Sequence, residues 1–214
     1  GWVEGTAQGY TDSVAHGVDA LEFSAARTVD GVWFQNHDNN LKSLGGPDRS
    51  TSTMTWSEVV EALKGTGKTP CRLDWLLEHY GDGVIVFDPK SSFARYDEIH
   101  DIFKGRRDRT IMKFFGDNKA FFQQMKLRGY STWGYAYPSS VGSAWWSDFV
   151  NGAYIDIPSM SWDASADIWK TLTDTGKPVV SHITSIKAQI DAATAKGARG
   201  SIVSAVSTVL SIQV

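Results

Sequence analysis

The feature that most constrains this chain is an alternation of short β-rich apolar runs with amphipathic stretches. It repeats about six or seven times, in units of roughly 20–30 residues, the spacing that parallel crossovers require. Extended segments are expected at 19–23, 32–35, 84–87, 110–114, 131–135, within 150–157, at 179–183 and at 201–206. Helices are expected at 55–63, 73–79, 96–103, 119–127, 164–172 and 186–195. Thr55 with Glu58 three residues on forms a capping box at one helix start. The run Val84-Ile85-Val86-Phe87 is apolar throughout, as in a strand buried on both faces. Gly176-Lys177-Pro178 and Lys196-Gly197 read as helix stops before the last two strands. An open doubly wound sheet and a closed (β/α)8 barrel both fit. No glycine-rich phosphate loop follows an early strand, which favours the barrel.

Composition narrows the function classes. The 214 residues carry a net charge of −3, against the basic face of a nucleic-acid binder. A single cysteine, Cys71, excludes a disulfide framework and a multi-cysteine metal site. It fits either a secreted or a cytoplasmic protein. No apolar run reaches the ~18–20 residues of a membrane span, and Gly1-Trp2-Val3-Glu4 does not read as a signal peptide.

In parallel α/β folds, reactive groups gather at the C-terminal ends of strands. Glu22 and Ser24 end the first clear strand and, two apart, point to the same side. His37 and Asp38 follow the second strand. Asp88 and Lys90 end the most apolar one, and Lys113 lies within the next. Carboxylate oxygens suit a hard cation such as Mg²⁺ or Ca²⁺. Lysines suit an anionic substrate, above all a phosphate. Histidine suits proton transfer near neutral pH.

These segments resemble the glycerophosphodiester phosphodiesterase family. Gly17-Val18-Asp19-Ala20-Leu21-Glu22-Phe23-Ser24 is similar to its G-A-D-x-x-E-x-D segment, and Val29 through Asn36-His37-Asp38 to its K-D-G-x-x-V-x-x-H-D segment. Thr55-Trp56-Ser57-Glu58 and Pro70-Cys71-Arg72-Leu73 resemble its next two helix starts. Phe87-Asp88-Pro89-Lys90 stands where the family has E-x-K. Gly176-Lys177-Pro178-Val179 and Gly197-Ala198-Arg199-Gly200-Ser201-Ile202 resemble its last conserved pieces. The resemblance implies one (β/α)8 TIM-type barrel domain over 1–214, of the PLC-like phosphodiesterase kind. It implies metal-dependent hydrolysis of small-molecule glycerophosphodiesters. Glu22 and Asp88 would hold Mg²⁺ or Ca²⁺, His37 would act in acid/base catalysis, and Lys90 would meet the phosphate; Lys113, from its place in the next strand, is expected to meet it too.

The departures are specific. The H-R-G segment of the family's first strand has no counterpart, and Val3-Glu4-Gly5-Thr6 resembles the P-E-N-T segment that follows it. The barrel is therefore expected to be incomplete at its first strand, with a homo-oligomer one way to cover the gap. Ser24 replaces an aspartate, a weaker ligand for a hard cation. His182 stands where a tryptophan is usual, and Val203-Ser204 replace Thr-Asp. His182 and Trp133 are expected at the barrel mouth. Lys90 as an internal partner of Asp88, and Lys113 as a surface residue, are the plain structural readings. His16, His79 and His100 fall on helices with no assigned role. The alternative function is a degenerate member that binds phosphodiester or carbohydrate ligands, or serves assembly.

Overall fold

The structure, a computed structural model, describes residues 5–204 and 206–211. Val3 and Glu4 of the P-E-N-T-like segment lie outside the described residues. The chain divides into two compact units, 1–110 and 111–214.

The first unit opens with α1 (Ala7–Ala15), capped by the Thr6 side chain, which accepts from Gly9 N. Strand β1 (Ala20–Arg27) pairs antiparallel with β2 (Trp33–Gln35). After α2 (Trp56–Ala62) and α3 (Leu73–His79), β3 (Val84–Asp88) pairs parallel with β1, and α4 (Tyr96–Phe103) follows. The predicted strand at 32–35 is real but is the return arm of a β1–β2 hairpin. The tight Thr28–Val32 turn allows only that direction: Thr28 N donates to Val32 O.

Alternation along β1 and β3 sends Phe23 and Phe87 to one side. Their rings stack 6.3 Å apart, and Phe87 meets Phe103 of α4 at 4.8 Å. A second apolar cluster, Ala26, Phe34, Leu41, Met54, Val59 and Leu63, seats α2 against the hairpin. The capping box forms as expected: the Thr55 hydroxyl accepts from Glu58 N, and Glu58 accepts from Thr55 N.

The second unit carries β4 (Thr110–Phe115), α5 (Lys119–Leu127), β5 (Ser131–Ala136), α6 (Trp146–Asn151) and β6 (Ile157–Ser161). It continues with α7 (Ala166–Thr173), β7 (Val180–Thr184), α8 (Lys187–Ala195), β8 (Gly200–Val203) and α9 (Val206–Ser211). Strands β4 to β8 pair parallel, each with the next. Gly176 (φ 76°) and Gly197 (φ 100°) are the two predicted stops, in the left-handed region that glycine adopts without a Cβ clash.

Two expectations need correction. The short strand expected within 150–157 lies almost wholly after it: Val150 belongs to α6, and β6 is Ile157–Ser161. Pro158, Ser159 and Ser161 break the apolar run that would have marked that strand. The last extended segment ends at Val203, and Val206 opens a helix. Cys71 precedes α3, whose N-cap is Arg72. Burial, helped by the nearby Asp74 charge, pushes its thiol up to about 12.

Candidate functional site

In the first unit, the parallel register sets Ser24 beside Asp88 and Glu22 beside Val86. Glu22, Ser24 and Asp88 therefore share the side opposite Phe23 and Phe87. The Ser24 hydroxyl donates to Glu22 Oε1 at 3.2 Å. Asp88 is fully buried, and Lys90 Nζ donates to its Oδ2 at 2.8 Å. Lys90 reaches it from a left-handed backbone (φ 44°). A non-glycine residue held there stores strain, which neighbouring contacts must overcome.

The β1–β2 hairpin positions the histidine. Asn36 N donates to Ser24 O at 2.8 Å, and Asn36 Nδ2 donates to the carbonyls of Asp38 and Asn40 at 2.7 and 2.9 Å. The buried amide thus pins the loop whose tip is His37. His37 is 73% exposed, with Nδ1 3.1 Å from Asp38 Oδ1. That hydrogen bond holds the Asp38 carboxyl below its usual range, against partial burial, and the Lys90 charge adds to the effect. Lys90 is thus electrostatically coupled to Asp38 as well as paired with Asp88. A cleft of about 280 Å³ is lined by Gln35, Asn36, His37, Asp38 and Lys68, among others. The Tyr10 hydroxyl donates to Glu22 O at 2.8 Å and lies 2.9 Å from Gln35 Oε1, tying α1 to both strands.

The other predicted residues lie in the second unit. Lys113 is buried, not a surface lysine, and its Nζ sits 4.9 Å from the centre of the Tyr135 ring. His182 is buried, with Nδ1 2.6 Å from Ser159 Oγ. Trp133 pairs with Lys113 across β4 and β5. The sequence reading passed over Asn36, Ser159, Tyr135 and Tyr137. The spacing Trp133-x-Tyr135-x-Tyr137 on an extended segment was the available signal, since period two puts all three on one side.

Among the described residues, no group of three or more His, Cys, Asp or Glu side chains is gathered tightly enough to hold a metal ion. Two carboxylates with a hydroxyl between them still fit a hard cation. Mg²⁺ binds through one or two carboxylates, keeps several waters and takes substrate phosphate oxygens. Glu22, Ser24 and Asp88 offer that oxygen donor set. Among the described residues, no helix is long and apolar enough to cross a membrane.

A comparison with curated proteins finds no match. Solved structures match along nearly the whole chain. A glycerophosphodiester phosphodiesterase from Thermotoga maritima is 19% identical with a TM-score of 0.80, over 96% of this chain and 90% of that one. One from Agrobacterium tumefaciens is 15% identical with a TM-score of 0.71, over 98% and 93%. An Oleispira antarctica phosphodiesterase, solved with the product sn-glycerol-3-phosphate, is 14% identical with a TM-score of 0.73, over 93% and 85%. These likenesses assign the TIM-barrel-like (β/α) fold. Residues 2–119, more than half of the chain, match the model of the glycerophosphoryl diester phosphodiesterase family, and the chain belongs to that family.

Proposed function

We propose that the chain hydrolyses small-molecule glycerophosphodiesters to an alcohol and glycerol phosphate. The observation that carries this reading is the cluster in the first unit. Glu22, Ser24 and Asp88 share one side of two adjacent strands, Lys90 is paired with Asp88, and His37 sits on a loop pinned to Ser24. Family membership supplies the substrate class.

His37 is the proton-transfer group. With Nδ1 donating to Asp38, Nε2 carries the lone pair. It takes the proton of the attacking water as the new oxygen–phosphorus bond forms and the bond to the alcohol oxygen breaks. The ring then gives a proton to the departing alkoxide. Lys90 moves part of its charge from Asp88 onto the phosphoryl oxygens. Glu22 and Asp88 would hold a divalent cation, Mg²⁺ or Ca²⁺, which polarises the phosphoryl group when bound. The family's general use of such a cation supports this assignment.

A second reading is favoured by Ser24, a neutral hydroxyl already donating to Glu22. It is a catalytically weak member that binds phosphodiester or carbohydrate ligands. Release of glycerol phosphate from a glycerophosphodiester, with Mg²⁺, then Ca²⁺, then chelator, decides between the two. Turnover that the chelator abolishes is expected. Saturable diester binding with no turnover overturns the hydrolase reading in favour of the second.

A further inference from the structure

The parallel sheet of the second unit has two unlike sides. Phe114 packs its ring on Phe121 of α5, 5.2 Å between centres, so one side faces the helices. Lys113 and Phe115, on either side of Phe114, point the other way. Register carries that side across the sheet: Lys113 lies beside Trp133, Phe115 beside Tyr135, Tyr135 beside Ser159, and Ser161 beside His182. Tyr137 continues it just past β5, its ring edge-on to both Tyr135 (6.1 Å) and His182 (5.3 Å).

Two observations give this aromatic side a chemistry. The first is the Trp133 indole. It is only 8% exposed, and its Nε1 has no hydrogen-bond partner among the described residues. A buried donor left unpaired is unfavourable, and indole N–H can only donate. The second is the Lys113 ammonium, seated on the Tyr135 ring face. An aromatic face that recognises a quaternary ammonium ligand must offer its π-cloud to that cation. Here a cation of the protein already occupies it, and a second positive charge on the same ring would meet like-charge repulsion. The donors carried by these paired residues, indole N–H and ammonium, call for a ligand rich in acceptors. The exposed Tyr137 ring calls for one with apolar C–H faces.

We propose that this side of the sheet binds the head group of a phosphorylated cyclic polyol, of the inositol or sugar type, and that Lys113 makes it reject choline-type cations. This rests on, and narrows, the glycerophosphodiester reading above. Trp133 donates to a ligand oxygen, Lys113 supplies positive charge, and the exposed Tyr137 ring stacks on the carbon skeleton.

The test uses inositol 1-phosphate and phosphocholine as probes, titrated into the protein by calorimetry. Neither is a diester, so the titration reads binding whether or not the chain turns a diester over. Inositol 1-phosphate should bind about tenfold or more tightly than phosphocholine, the scale of one charge-assisted hydrogen bond. Lys113→Met should narrow that ratio, while Lys113→Arg, which keeps the charge, should preserve it. Trp133→Phe keeps the ring and should weaken inositol 1-phosphate alone. Equal binding of the two probes, binding of neither, or a ratio that both Lys113→Met and Trp133→Phe leave unmoved overturns the proposal. Absence of diester turnover with the ratio intact overturns the hydrolase reading and leaves this one standing.

Discussion

Lys90 takes up a left-handed backbone conformation, φ 44°, and from it places its ammonium 2.8 Å from the fully buried carboxylate of Asp88. Two opposing effects meet at this residue. Left-handed strain in a non-glycine residue is worth about 1–3 kcal/mol. Removing one partner of a buried ion pair is worth about 3–5 kcal/mol. The pair wins. Lys90→Gly relieves the strain but strands Asp88, and is expected to destabilise by less than Lys90→Met, which does not relieve it. Denaturant unfolding of the two variants gives the order. A Lys90→Met protein as stable as the parent would show that the pair contributes nothing.

Most of the scaffold was legible because its signals are local. Helices 73–79, 96–103 and 119–127 appear at the bounds that their periodicity gives, and the Thr55–Glu58 box needs only four residues to declare itself. What escaped depends on partners distant in sequence. The antiparallel direction of β2 follows from a turn geometry that an apolar run does not encode. Strand β6 is held by its neighbours β5 and β7 and reads poorly alone, with a proline and two serines in five residues. The site divides the same way. Side-sharing by Glu22 with Ser24 follows from period two. The burial of Lys113 and the bond between Ser159 and His182 exist only once strands from different stretches are aligned.

Glu98 gives an acid-side prediction. Burial raises its carboxyl pKa, but hydrogen bonds from Arg27 (2.7 Å) and the Trp33 indole (2.8 Å) outweigh burial and leave it lowered from 4.5. A depressed folded-state value contributes stability above the unfolded value, and that contribution is lost as pH falls through the folded one. Glu98→Gln should be destabilised by about 1–3 kcal/mol at pH 7. The gap to the parent should shrink as pH drops below 4.5, where the parent's carboxyl also becomes neutral. A gap that is constant from pH 7 to pH 3 would remove the ionic part of the argument.

Cys71 gives a base-side prediction of opposite sense. Its folded thiol is pushed up from 9.0 to about 12, by burial first and the Asp74 charge second. A raised value contributes stability that is complete below pH 9.0 and is lost as pH climbs toward 12, because the unfolded thiol ionises first. At pH 8 the native thiol should resist a disulfide reagent for hours and react at once in denaturant. Rapid native reaction would contradict its burial.

Glu22 tests the cation assignment without reference to turnover. Glu22→Gln keeps the shape and an oxygen that Ser24 can donate to, but removes one of two carboxylate charges. Calorimetric Mg²⁺ affinity should fall by tenfold or more, about the worth of one charge-assisted contact. Unchanged affinity takes Glu22 out of the cation site.

His37 and Asp38 separate a catalytic role from a positioning one. His37→Ala removes the proton carrier and should lower kcat by about 10²–10⁴. KM should change little, because Lys90, which meets the phosphate, and the carboxylates that would hold the cation remain. Asp38→Asn leaves the imidazole in place but replaces the charged acceptor at Nδ1 with a neutral one. Its effect should be a smaller loss in kcat and a shift in the pH–rate profile, with KM again steady. The hydrogen bond to His37 keeps the Asp38 carboxyl below its usual range, so the parent's carboxylate stays charged as the medium turns mildly acidic. The parent's acid limb should therefore not report Asp38. Full turnover in His37→Ala would end the catalytic assignment. An Asp38→Asn profile that overlays the parent's would reduce Asp38 to a loop residue.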